Sequence, residues 1–347
     1  MRTPPDVARR HGHRRFPPDP LDLAGVGDGP DCQGVPVAHR PDRGGHRPTV
    51  PPERGEQDVL LRRQVVEISH AATIRPTGPA GTADSVQPMS GGPRPGDVFG
   101  AMITDAYAVE TGTGTRPLAG GRLPRPVIEI IERDDGLING APSAHYFAGP
   151  PDWEPYDKRA VSRVRGATLD VGTGAGRIAL LLQEQGTPVT GLDTSAGALA
   201  VCRRRGVRDL VHGTVDAHVA DGRRYDTFLL LGNNVGLLEG VERGRAFLAA
   251  LAAMAGPGAQ VIAQGTDPYG TRDPVHTGYH ERNRRQGRLG GQLRLRLRYR
   301  ELGTDWFDYL VCSAEELTAL VDGTPWRLVD VDDRDAPYYL AFLRLAG

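Results

Sequence analysis

The sequence predicts an α/β fold, a doubly wound and mainly parallel seven-stranded sheet with an antiparallel terminal strand. Three observations predict it. From Asp97 onward short apolar runs alternate with helix-length amphipathic ones, a glycine-crowded turn at Asp170-Val171-Gly172-Thr173-Gly174-Ala175-Gly176 follows a strand, and two apolar runs close the chain with only a short connection between them. Strands separated by helices run parallel, because each helix returns the chain to the end of the sheet where it began. Strands joined by a short connection run antiparallel.

Taken in order, Val98 to Val109 reads as a helix and Val127 to Arg133 as a strand entering the turn Asp134-Asp135-Gly136. His145, Tyr146, Phe147 and Trp153 supply aromatics before a helix over Glu154 to Val164. The regular series follows: strand Ala167 to Val171, helix Gly176 to Gln185, strand Pro188 to Leu192, helix Ser195 to Arg205, strand Leu210 to Thr214. It continues with strand Tyr225 to Leu231, helix Val241 to Ala255 and strand Ala259 to Gln264. Residues 265–290 are polar and without periodicity, which reads as a lid or binding loop. Gln292 to Arg300 and Asp305 to Cys312 read as a hairpin joined at Leu302-Gly303-Thr304, so residues 265–312 form a lid loop and hairpin insertion. Ser313 caps a helix to Val321, with Glu315 and Glu316 in its first turn, and strands Trp326 to Asp332 and Tyr338 to Leu345 finish the sheet.

Composition narrows the function classes. A net charge of -1 gives no overall field to draw in nucleic acid or an anionic membrane, so a small molecule fits better. Lys158 is the only lysine beside many arginines, with 46 glycines and 29 prolines, the mark of a GC-rich genome, and arginine abundance is read accordingly. Cys32, Cys202 and Cys312 match neither a metal knuckle nor a disulfide framework, and no metal site is expected. There is no apolar stretch of about eighteen residues and no apolar leader run, so a cytoplasmic protein is expected. Residues 1–95 hold 16 of the 29 prolines and read as a disordered Pro/Arg/Gly-rich extension, with a short helix between 57 and 74 and with Met89 or Met102 as alternative starts. Residues 96–347 form the folded domain.

Glycines crowd a strand-to-helix turn when the backbone bends sharply and a ligand lies against it, and Gly172, Gly174 and Gly176 supply that space. Asp193, at the end of the next strand and seventeen residues beyond Gly176, is placed to accept both hydroxyls of a ribose. Thr194 or Ser195 then caps the following helix. A nicotinamide-dinucleotide site needs glycine where this chain has Arg177. The pattern Asp-x-Gly-x-Gly-x-Gly resembles instead the first motif of class I S-adenosylmethionine-dependent methyltransferases. Asp193, Tyr225-Asp226, Gly256-Pro257-Gly258 and the terminal strand pair stand at matching positions.

The resemblance covers roughly residues 96–347. Leu231-Gly232-Asn233-Asn234-Val235-Gly236-Leu237 and Asp308-Tyr309 are similar to a branch of uncharacterised substrate, whose members usually carry Cys where this chain has Thr173. Thr is close in volume, so the loop is expected to survive. The resemblance implies the Rossmann-like methyltransferase fold with S-adenosyl-L-methionine as methyl donor. It places Asp170 and the backbone of Gly172, Thr173, Gly174 and Gly176 at the donor's amino-acid end, Asp193 with Thr194 at the ribose, and Thr214 and Val215, with Asp216 as a substitute acid, at the adenine edge. Asn233 belongs to the same donor set.

Methyl transfer from a sulfonium is an in-line displacement, and a base is needed only where the acceptor atom carries a proton. Asn234 beside Asn233, at the end of the fourth strand, either orients an acceptor or only fixes the turn. His276, Tyr279 and His280 are candidate proton acceptors, against the plainer reading of surface or capping residues. Tyr146 and Trp153 either cover the pocket or pack in the core. The stretch Leu293 to Arg300 alternates with period two, which puts Arg294, Arg296, Arg298 and Arg300 on one face. With Arg282, Arg284, Arg285 and Arg288 before it, the stretch invites a nucleic-acid reading. A solvated strand face is the plain reading and contact with an anionic small substrate the next, since the near-zero net charge and the lack of interleaved aromatics argue against an extended RNA track. The leading expectation is a methyltransferase for a small-molecule acceptor. The alternatives are a nucleic-acid or protein methyltransferase using the Arg294–Arg300 face, or a donor-binding protein without catalysis.

Overall fold

The structure is a computed structural model and describes residues 94–113 and 126–347. The extension expected over residues 1–95, with its helix between 57 and 74, lies outside the described residues except for Arg94 and Pro95. The elements begin with β1 (Arg94–Pro95), α1 (Val98–Thr111), β2 (Ile128–Arg133), β3 (Ile138–Pro142) and α2 (Pro155–Ser162). The alternating series is β4 (Thr168–Val171), α3 (Arg177–Glu184), β5 (Val189–Asp193), α4 (Ala196–Arg205), β6 (Leu210–His212) and the short α5 (Val215–His218). It goes on through β7 (Tyr225–Leu230), α6 (Val241–Ala253), β8 (Ala255–Thr266) and α7 (Pro274–Arg285). Last come β9 (Gln292–Tyr299), β10 (Leu302–Gly303), β11 (Phe307–Leu310), α8 (Ala314–Val321), β12 (Trp326–Asp335) and β13 (Tyr338–Leu345).

The main sheet has the expected seven strands, in the order β12-β13-β8-β7-β4-β5-β6. Strands β4 to β8 pair in parallel, while β13 runs antiparallel to both β8 and β12. Successive side chains of a strand point to opposite faces, and here both faces are covered. Phe228 and Leu230 of β7, Val261 and Ala263 of β8 and Tyr339 and Ala341 of β13 join one apolar cluster. Their neighbours Leu229, Ile262, Leu340 and Phe342 join a second on the other side. That two-sided burial is why these strands read as continuous apolar runs.

The helix signals also hold. Ser195, not Thr194, caps α4 by accepting from the Ala198 amide at 3.0 Å. Ser313 caps α8 within a reciprocal pair with Glu316. Asp97 caps α1 and also accepts from the Ser195 hydroxyl and the Gly197 amide, at 2.9 Å each, which fastens α1 across the start of α4.

Two expectations need correction. Residues 265–290 are not an irregular lid: β8 runs on to Thr266, and α7 occupies Pro274–Arg285 behind an Asp273 cap with Pro at its first position. The buried face of α7 is Tyr279, His280 and Asn283, too polar to register as an apolar stripe. Nor are β9 and β11 an isolated hairpin. They form a second, antiparallel sheet with β2 and β3, in which Ile131 stands opposite Leu297 and Phe307 opposite Leu295. Its inner face buries Ile131, Leu293, Leu295 and Leu297, each worth roughly 1.5–3 kcal/mol when fully buried.

The arginine face of β9 is matched by acids. Arg296 grips Glu132 through two bonds of 2.8 and 3.0 Å, Arg298 reaches the same carboxylate at 3.4 Å, Arg300 pairs with Asp105, and Asp308 lies 3.9 Å from Arg294 and 2.9 Å from Arg288. The face is a row of ion pairs, which speaks for the plain reading of a solvated strand over an RNA track.

Candidate active site

The glycine turn leaves β4 with Gly172, Gly174 and Gly176 all at positive φ (72°, 57° and 78°), a conformation that side chains with a Cβ rarely adopt. At Gly176 space is also short, since a Cβ would come within 2.8 Å of Val207 and 3.1 Å of the Cys202 sulfur. Thr173 keeps the loop intact: its hydroxyl donates to Asp170 at 2.7 Å. Burial pushes the Asp170 carboxyl up to about 6, against the pull of that bond and of the Arg177 charge. Arg177 itself is bound to Asp157 at 2.7 Å.

Asp193 closes β5 and accepts from the Gly174 amide at 3.0 Å and from the Ser195 amide at 2.8 Å. A carboxylate offers about four lone-pair positions, so two remain for a ligand. Burial, with Asp97 and Asp170 close by, raises the Asp193 carboxyl to about 7 despite the two amides. Beside it opens a cleft of about 590 Å³. Val171 and Gly172 line it from one side, Thr214, Val215 and Asp216 from another, with Leu237, Glu239, Arg243 and Phe247 opposite. Thr214 caps α5 through the Ala217 amide at 3.3 Å, so its side chain is held while its backbone faces the cleft. A carboxylate with free lone pairs between apolar walls, under a turn that a Cβ would obstruct, suits a nucleoside with an amino-acid tail. Glu239 and Arg243 were missed by sequence reasoning. Glu239 adopts a positive φ of 59°, a strain visible only in the fold.

The Asn pair joins this cleft to a second one. Asn234 donates from its side chain to the Val171 carbonyl at 2.8 Å, tying β7 to the end of β4. Asn233, at φ 61°, accepts from the Thr266 hydroxyl at 3.1 Å. Both amides therefore fix the turn, yet Asn233 Nδ2 and Asn234 Oδ1 are buried without a partner among the described residues. Thr266 in turn lines a cavity of about 600 Å³ between α7 and the second sheet, and so do His276 and His280. Tyr279 does not line it. Its hydroxyl donates to Asp134 at 2.7 Å and accepts from the Arg294 amide at 3.1 Å, and burial first, with Asp134 second, raises it to about 12, so a positioning part suits it better than proton transfer. Tyr146 and Trp153 are both buried in the two cores, the former with its hydroxyl on Glu129 at 3.0 Å. The missed member of the second cavity is Arg133. It shares a strand face with Ile131, and a charge at a core-facing position was the available signal.

Among the described residues no cluster of three or more His, Cys, Asp or Glu side chains is arranged to hold a metal ion, and no helix is long and apolar enough to cross a membrane.

Residues 168–258 match a family model described as a methyltransferase domain. No match was found among curated proteins. Among solved structures, the chain is similar to a SAM-dependent methyltransferase from Bacteroides fragilis in complex with S-adenosyl-L-homocysteine, at 22% identity and a TM-score of 0.59, over 72% of this chain and 95% of that one. It is also similar to the CcbJ methyltransferase from Streptomyces caelestis, at 18% identity and a TM-score of 0.43, over 58% of this chain and 92% of that one. The fold assignment rests on the first. Residues 168–258 thus match a methyltransferase domain, and the chain shares the α/β fold of the Bacteroides fragilis structure.

Proposed function

We propose that the protein transfers the methyl group of S-adenosyl-L-methionine to a small-molecule acceptor. The carrying observation is Asp193, whose carboxylate sits under the glycine turn beside a cleft, with lone pairs left for a ribose. Asp170 and the Gly172–Gly176 backbone hold the amino-acid end, and Thr214, Val215 and Asp216 the base. Asn233 Nδ2 and Asn234 Oδ1 are buried without a partner among the described residues, and they are the polar atoms that would meet donor or acceptor. Side chains here align and shield rather than react, because an in-line displacement needs geometry and the exclusion of water.

The paired arginines of β9 favour this reading over a nucleic-acid substrate. The catalytic domain is taken to span residues 96–347, with 1–95 as an extension and the cytoplasm as its place of action. Calorimetry tests the core of the reading. S-adenosyl-L-homocysteine should bind the wild-type protein, and Asp193→Ala should weaken that binding about a hundredfold, since hydrogen bonds to a charged group contribute about 1.5–3 kcal/mol each. Unchanged affinity in a folded Asp193→Ala protein would remove the assignment.

A further inference from the structure

The cavity between α7 and the second sheet has a chemistry of its own. Ile131, Leu293 and Leu295 make an apolar floor, and Arg133, His276 and His280 face it from the side. The Arg133 charge is already matched. Nε and Nη2 donate to both oxygens of Asp135 at 2.8 and 2.7 Å, and Nη2 also reaches the Val275 carbonyl at 3.2 Å. Nη1 lies 3.2 Å from His276 Nδ1. A guanidinium only donates, so Nδ1 must be the bare nitrogen, and the neutral ring carries its hydrogen on Nε2.

His280 stands differently. It is 5% exposed, the edge of its ring meets Tyr269 at 5.5 Å between centroids, and neither ring nitrogen has a hydrogen-bond partner among the described residues. Burial, with the Arg284 and Arg133 charges nearby, lowers it to about 4, so it is neutral near pH 7 and offers a bare nitrogen to a hydrogen-bond donor. No carboxylate lines the cavity, which leaves a cationic ligand without a counter-charge. An anion would find only a guanidinium already bound to Asp135, and an unpaired buried charge costs several kcal/mol.

We propose that this cavity is the acceptor site, that it takes an uncharged, mainly apolar molecule whose nucleophilic atom carries a hydrogen, and that the bare His280 nitrogen accepts that hydrogen in a hydrogen bond. The proposal rests on the methyltransferase reading for its donor. The acceptor oxygen or nitrogen bonds to the methyl carbon as the carbon–sulfur bond breaks, its electron pair stays on sulfur, and the acceptor's proton leaves to solvent. The link from Thr266 through Asn233 and Asn234 to Val171 runs from this cavity to the donor cleft.

The probes are 2-naphthol and the matched anion 2-naphthoate, added to histidine-labelled protein with and without S-adenosyl-L-homocysteine. Naphthol should bind saturably and move the nitrogen signal of the unprotonated His280 nitrogen upfield as it accepts the hydroxyl's hydrogen bond. Naphthoate should bind at least tenfold more weakly. Val311→Phe, which fills the cavity, and Leu137→Asp, which puts a charge on its half-buried rim, should each weaken naphthol tenfold or more while homocysteine-donor affinity stays unchanged. Equal or tighter binding of naphthoate, or a His280 signal that neither compound moves, would overturn the proposal. Loss of S-adenosyl-L-homocysteine binding with naphthol binding intact would overturn the donor reading instead.

Discussion

Each sheet buries charge at the rim of a cavity, and the two handle it differently. Asp193 of the main sheet is held by backbone amides, and no arginine forms an ion pair with it among the described residues. Arg133 of the second sheet is bound to Asp135 on two atoms and to the Val275 carbonyl on a third contact. The first charge keeps lone pairs for a ligand and stands near its ionisation point. The second is spent, leaving a cavity that selects by shape and apolar surface. The difference gives the cleft beside Asp193 a pH-sensitive polar group and leaves the other cavity lined mainly by packed apolar surface.

The comparison can be broken from its strongest point. Asp193→Ala should lose about a hundredfold in S-adenosyl-L-homocysteine affinity by calorimetry, and naphthol affinity should change less than threefold; parallel losses would mean that the two cavities are one site. Gly176→Ala tests how far the donor turn depends on its backbone. A positive φ costs a Cβ-bearing residue roughly 1–2 kcal/mol, and the new methyl would also press on Val207 at 2.8 Å. A fall of about 4–8 °C in Tm is expected for about 2 kcal/mol, read by thermal melting.

A pH series sharpens the contrast further. If ribose hydroxyls donate to the ionised Asp193, whose carboxyl stands near 7, donor affinity should rise with pH through that value. The gain from pH 6 to pH 8 is about tenfold, a change of about one pKa unit's worth of free energy. Asp193→Asn should flatten the profile, and naphthol binding should show no such rise. The smallest effect belongs to the second sheet's outer face. Arg298→Gln breaks a half-exposed pair with Glu132 and should cost less than about 1 kcal/mol in denaturant unfolding.

The main sheet was legible because its rules are local. Continuous apolar runs, the glycine turn and Asp193 at a strand end each declare themselves within a few residues, and with the helices between them they give a mainly parallel seven-stranded sheet. The second sheet was not, because its partners are far apart: nothing near Ile131 says that it will lie opposite Leu297. α7 escaped for a different reason. Tyr279, His280 and Asn283 form its buried face, so the usual apolar stripe is missing, although Asp273-Pro274 announced its start. The histidines were legible as candidates by residue type. Their unlike roles depend on Arg133, which decides where the His276 hydrogen sits.

The pairing of β2 with β9 also dictates an order of events during synthesis. Closing a loop between strands so distant is entropically unfavourable until the intervening chain has condensed. All five parallel strands of the main sheet emerge from the ribosome before β9 does. The cleft beside Asp193 can therefore form first, before the β9 wall of the second cavity has been translated.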